Sequence, residues 1–105
     1  SDVLTAYVQG VQQKIAQAIS YPYEAKEKGW EGTVTLSLTI LSDGNLTKVF
    51  VRESSGRDLF DQDALNTAKV VAPFSPFPVE IDLEEIEITV PVVYSQAVVL
   101  HGSAR

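Results

Sequence analysis

Between Gly32 and Leu41 the chain alternates without a break: Val34, Leu36, Leu38 and Ile40 are apolar, while Thr33, Thr35, Ser37 and Thr39 carry hydroxyls. A period of two is the period of a strand, so this segment must bury one face and wet the other. Asp43-Gly44 follows at once, within Ser42 to Asn45. Glycine and its polar neighbours accept the positive φ of a tight turn, so the chain should reverse into a second strand, Leu46 to Ser54. Val49 and Val51 share a face there and Leu46 falls on the other, a break in parity that a bulge near Thr47 would produce.

An apolar sheet face needs cover, and two segments can supply it. From Val3 to Ser20, Leu4, Val8, Val11, Ile15 and Ile19 recur at helical spacing, with Gly10 as a weak point. Pro22 ends that helix and opens a short helical turn, Tyr23 to Lys28, which Gly29 closes as a left-handed cap. After Ser55-Gly56, Asp58 is expected to cap a helix from Leu59 to Ala72 with Phe60, Ala64, Leu65, Ala68 and Val71 facing inward. Asp61 and Asp63 fall in its first turn, where negative charge is favourable. Pro73 stops it, and Pro73 to Pro78 must be extended because its three prolines forbid helix. Phe74 and Phe77 should cover an end of the core. A last strand runs from Ile86 to Tyr94, with Ile86, Ile88, Val90, Val92 and Tyr94 alternating against Glu87, Thr89, Pro91 and Val93.

Hairpin, helix, strand is a pattern with few topologies. A crossover of this length joins parallel strands, and parallel second and third strands leave the first between them. The expected fold is therefore α+β: a three-stranded antiparallel or mixed sheet in the order 2-1-3, with two helices on one face and the Thr-rich face in solvent. The third strand is then an edge. Pro91 agrees independently, since a proline sits in a strand where its missing N–H would point away from the sheet. Residues 1–95 form one domain in this reading, and 96–105 a flexible tail, with Ala97 to Leu100 as a further length of strand in the alternative.

Composition removes whole classes of function. A chain of 105 residues buries roughly two thirds of its unfolded surface, enough for one core. Its net charge of −6, with 8 basic residues and none in a run, gives no footprint for nucleic acid or an anionic membrane. Without cysteine there are no disulfides, thiolate metal sites or thiol nucleophiles. The one histidine, His101, lies in the tail, a poor place for a catalytic relay or a metal ligand. Glu80, Asp82, Glu84, Glu85 and Glu87 cluster before the last strand but lack the spacing of a calcium loop, and a solvated loop accounts for them. The glycines have no phosphate-loop spacing, and Trp30 reads as an edge-packing residue. No catalytic residue, metal or cofactor is expected. The apolar runs are too short to span a membrane, and Ser1-Asp2-Val3 does not open a signal peptide. The expectation is a soluble piece of something longer.

Tyr21-Pro22-x-x-Ala25-x-x-x-Gly29-x-x-Gly32-x-Val34, Asp43-Gly44, Ser54-Ser55-Gly56, Phe60-Asp61-x-x-Ala64-Leu65 and Ala72-Pro73-Phe74-x-Pro76-Phe77-Pro78 occur in that order. The set resembles the C-terminal domain of TonB-type energy transducers, from about Ala6 to Tyr94, with Phe60 where leucine is commoner. That resemblance implies a periplasmic domain that captures the N-terminal box of TonB-dependent outer-membrane transporters and passes force to their plugs. It also implies an inner-membrane anchor, a proline-rich spacer and a proton-driven motor (ExbB/ExbD), none of which these residues contain. By the same resemblance the box adds as a strand beside the last strand, here Glu87, Ile88, Thr89, Val90, Pro91, Val92, Val93 and Tyr94, with further contacts at Tyr21 and Pro22. A helix stop packed on the core is an equal reading of Tyr21-Pro22. A same-fold interaction or sensor module of a regulator or secretion assembly is the alternative, and a carboxylate hydrolase the third class.

Physics adds a detail to strand addition. Residues with the parity of Pro91 aim their N–H groups outward, so Glu87, Thr89 and Val93 would donate to a guest, with a gap at Pro91. About four backbone hydrogen bonds at roughly 0.5–1.5 kcal/mol net fall short of many estimates of association cost. Side chains such as Tyr21 or Tyr94 are expected to supply the rest. The side chains of Ile88, Val90, Val92 and Tyr94 also read as core, and an exposed edge permits a homodimer.

Overall fold

A computed structural model describes residues 2–96. Its elements are α1 (Asp2–Ala18), α2 (Tyr23–Lys28), β1 (Gly32–Leu41), β2 (Leu46–Glu53), α3 (Asp58–Val71) and β3 (Glu85–Tyr94). β1 is central and antiparallel to both neighbours, giving the expected order β2-β1-β3. The alternation in β1 sets this arrangement: Val34, Leu36, Leu38 and Ile40 are fully buried. β3 brings Ile86, Ile88, Val90, Val92 and Tyr94 to the same face. α1 packs on β3 and α3, while α3 packs on β1 and β2. Both helices therefore lie on the apolar face.

The bulge is where the broken parity of β2 puts it. Thr39 faces Lys48 and Ile40 faces Leu46, so Thr47 is the extra residue and Leu46 returns to the core side. A second irregularity makes Arg52 extra, between Glu53 opposite Thr35 and Val51 opposite Leu36. The wet face is less open than its threonines suggest. Ser37 is buried, flanked in register by Phe50 and Thr89, and its hydroxyl donates to Glu87 at 3.0 Å. Arg52 joins this patch, with a guanidinium nitrogen 3.6 Å from the same Glu87 carboxylate.

The start of α3 corrects one expectation. Asp58 is inside the helix, Arg57 is the N-cap residue, and no side chain caps from that position. Asp61 reaches back instead: one carboxylate oxygen accepts the Ser55 N–H at 3.0 Å and the Ser55 hydroxyl at 2.8 Å, the other the Ser54 hydroxyl at 2.5 Å. The Ser55 hydroxyl oxygen in turn accepts the Arg57 N–H at 3.0 Å. Burial alone would raise the pKa of Asp61, but the hydrogen bonds from Ser54 and Ser55 outweigh it and hold the carboxyl below its usual value. Thr67 is also buried on α3, donating its hydroxyl to the Asp63 carbonyl at 2.8 Å, which lets a polar residue share the inner face.

Pro73 to Pro78 forms a strap. Phe74 N–H donates to the Gly44 carbonyl and Phe77 N–H to the Ser42 carbonyl, both at 2.8 Å, so the strap is bonded to the β1–β2 turn. On its other side, Tyr7 and Lys14 of α1 donate to the Ser75 and Pro73 carbonyls at 2.6 and 3.2 Å. Phe74 is buried, and Phe77 meets the Tyr7 ring edge-on at 5.1 Å. Both phenylalanines close an end of the core, as the sequence pattern predicts.

Candidate functional site

β3 has one neighbour, β1, and its other side carries no strand among the described residues. The direction of its backbone groups follows from two bonds. Ser42 N–H donates to the Glu84 carbonyl at 2.9 Å, so residues of that parity (Ile86, Ile88, Val90, Val92) turn their polar groups toward β1. Gln12 Nε2, from α1, donates to the Thr89 carbonyl at 3.3 Å on the far side. Glu85, Glu87, Thr89, Pro91 and Val93 thus line the outer edge. Side chains divide by the same parity: those of Ile88, Val90 and Val92 are buried, whereas Glu87, Thr89, Pro91 and Val93 are exposed.

Tyr94 departs from one expectation. Its side chain is only 1% exposed, so the ring has no surface to offer a partner. It stacks on Phe60 with centroids 4.5 Å apart, and its hydroxyl donates to an Asp63 carboxylate oxygen at 2.5 Å. Burial, that hydrogen bond, and the charges of Asp63 and Asp61 together push the Tyr94 phenol well above its usual range. Asp63 thus differs from its expected place as a first-turn charge: α3 begins at Asp58, its first-turn acids are Asp58 and Asp61, and Asp63 lies beyond them as the acceptor of the Tyr94 hydroxyl.

Tyr21 is an anchor. Its ring meets Phe60 and Tyr94 edge-on at 5.8 and 5.9 Å, and its hydroxyl donates to the Trp30 carbonyl. Pro22 stands at the head of α2, its carbonyl accepting the Lys26 N–H. The helix-stop reading thus holds for the Tyr21 ring. Tyr21 and Pro22 also line an open groove with Tyr23, Leu59, Gln62 and Asp63. Tyr94 connects the two expected contact areas, because it ends β3, touches Tyr21 and bonds Asp63 in the groove wall.

The remaining candidates resolve as surface or packing. Trp30 is half-buried, with the Arg57 guanidinium carbon 3.9 Å and the Lys28 ammonium 5.0 Å from its ring centroid. Glu80, Asp82, Glu84 and Glu85 are exposed, and no cluster among the described residues could hold a metal ion. Gln96, the head of the expected tail, is held: its N–H donates to Glu31 and its amide to the Ala25 and Lys26 carbonyls. His101 and Ala97 to Leu100 lie outside the described residues. No helix among the described residues is long and apolar enough to cross a membrane.

Residues 17–95 match the family model described as Gram-negative bacterial TonB protein C-terminal. The Protein TonB of Helicobacter pylori is 31% identical over 93 residues, covering 89% of this chain and 31% of that protein. The tonB2 protein of Pseudomonas aeruginosa is 42% identical over 52 residues, covering 50% of this chain and 19% of that protein. The chain thus spans a third or less of the curated relatives it matches. The solution structure of the Helicobacter pylori TonB C-terminal domain, residues 179–285, superposes with a TM-score of 0.74 at 30% identity, covering 88% of this chain and 82% of that one. The Pseudomonas aeruginosa TonB C-terminal domain superposes with a TM-score of 0.61 at 26% identity, covering 73% and 77%. This chain belongs to the TonB C-terminal domain family.

Proposed function

We propose that this chain is the periplasmic end of a TonB-type energy transducer, binding the N-terminal box of an outer-membrane transporter as an added strand on β3. The observation that carries this reading is the outer edge itself, where Glu87, Thr89 and Val93 aim backbone donors away from the sheet and no strand among the described residues covers them. Family membership supports the wider assignment: an anchor in the inner membrane, a motor of the ExbB/ExbD type acting through an upstream segment, and uptake rather than catalysis as the result. A guest lying along the edge loads its hydrogen bonds together when pulled along its length, so weak bonds act in parallel.

Tyr21 and Pro22 add the groove beside α3 as a second contact, offered by the exposed Tyr23 and by Gln62. Adding a synthetic peptide of a transporter box to the isotope-labelled chain should shift the amides of Glu87, Thr89 and Val93 most. Shifts clustered away from Glu87 to Tyr94 would remove β3 as the docking strand.

A further inference from the structure

We propose that Gln12 guards the β3 edge, so that a guest strand must displace its carboxamide before pairing along the middle of that edge. This rests on the reading of β3 as the docking strand. Thr89 presents both its N–H and its carbonyl outward, and the carbonyl already accepts one hydrogen bond from Gln12 Nε2, at 3.3 Å, on the side from which a guest would approach. The next outward residue, Pro91, has a carbonyl and no N–H. An antiparallel guest therefore finds complete two-bond positions at Glu85, Glu87 and Val93, and two reduced positions, Thr89 and Pro91, between the last two.

Gln12 is placed for this by the helix it sits on. It follows the buried Val11 and lies one turn from Val8 and Ile15, which pack on the core. Its half-buried side chain leaves α1 at the margin of the buried stripe, and α1 is the helix that packs on β3. A carboxamide of this length carries a donor to a strand 77 residues further along the chain. An uncovered edge invites pairing with any exposed strand, another copy of the chain included. One side-chain bond at its centre is comparable to one rung of the ladder a guest would build, so it lowers affinity for every guest without closing the edge.

The test titrates the box peptide against the 105-residue chain and three variants. Gln12→Leu keeps a side chain of similar bulk and helix propensity but has no donor, and Gln12→Ala removes the side chain beyond Cβ. Both should bind about two- to tenfold more tightly, with thermal melts near wild type. Gln12→Arg restores a long donor and should return the affinity toward wild type, which a merely structural role would not do. In the free chain, Gln12→Leu should also shift the Val90 amide, whose peptide unit contains the Thr89 carbonyl. Equal or weaker binding by the Leu and Ala variants, with β3 shifts intact, overturns the guard alone. Absence of β3 shifts in every variant overturns the docking reading and the guard with it.

Discussion

Tyr94 shows how much one side chain settles. A tyrosine ending an edge strand offers a plausible partner contact, but burial against Phe60 and Tyr21 turns this one inward, and its hydroxyl needs the Asp63 carboxylate. Tyr94→Phe keeps the stacked ring and leaves Asp63 without that donor, so chemical denaturation should show a loss of about 1–3 kcal/mol near neutral pH. The same bond gives an alkaline limit. An unfolded tyrosine gives up its proton around pH 10.0, whereas the folded phenol keeps it to higher pH. Above that pH the unfolded state binds fewer protons than the folded state, so stability is complete below pH 10.0 and falls as pH rises past it. Tyr94→Phe should flatten this fall when denaturation midpoints are compared at about pH 8 and about pH 11. Tyr7, also raised by burial, leaves a residual slope.

At the scale of elements, two glycines in the same fold should answer the same substitution with opposite signs. Gly10 lies inside α1 with no atom within 4 Å of where a Cβ would stand, so Gly10→Ala should stabilise by about 0.5–1 kcal/mol through helix propensity. Gly44 has φ +95°, and a Cβ added there would overlap the Phe74 carbonyl, so Gly44→Ala should cost at least about 1–3 kcal/mol and loosen the strap from the turn. Thermal melts of the two variants should move in opposite directions. These elements were legible because side-chain pattern encodes them: the alternation in β1, the Asp43-Gly44 turn, and the parity slip at Thr47. What escaped is carried by backbone atoms or by long-range geometry. The strap's bonds from Phe74 and Phe77 to Gly44 and Ser42 join main-chain groups and leave no residue signature. Asp58 reads as the cap in sequence and Asp61 only as a favourable charge, and it is the fold that brings Ser54 and Ser55 to Asp61. Gln12 meets a carbonyl on a distant strand, and no spacing announces that.

For the whole molecule, the edge proposed for docking combines exposure with restraint. A continuous ladder on β3 would bind any extended chain, whereas the proline at its centre and the amide beside it reduce what a guest can collect. Pro91 faces Thr35 across the β1 pairing and is exposed, so a threonine there fits the wet face and adds one outward N–H without touching the core. Pro91→Thr should therefore tighten box-peptide binding about two- to tenfold, mainly through slower dissociation, and should raise self-association in sedimentation at high concentration. The two effects belong together, because the new donor is offered to a second copy of β3 as readily as to a peptide. Tighter self-association with unchanged peptide affinity would mean that the edge pairs copies of the chain while the guest binds elsewhere. Tightening of both, with the thermal melt unmoved, is the result expected if Pro91 limits how firmly the β3 edge holds a guest strand.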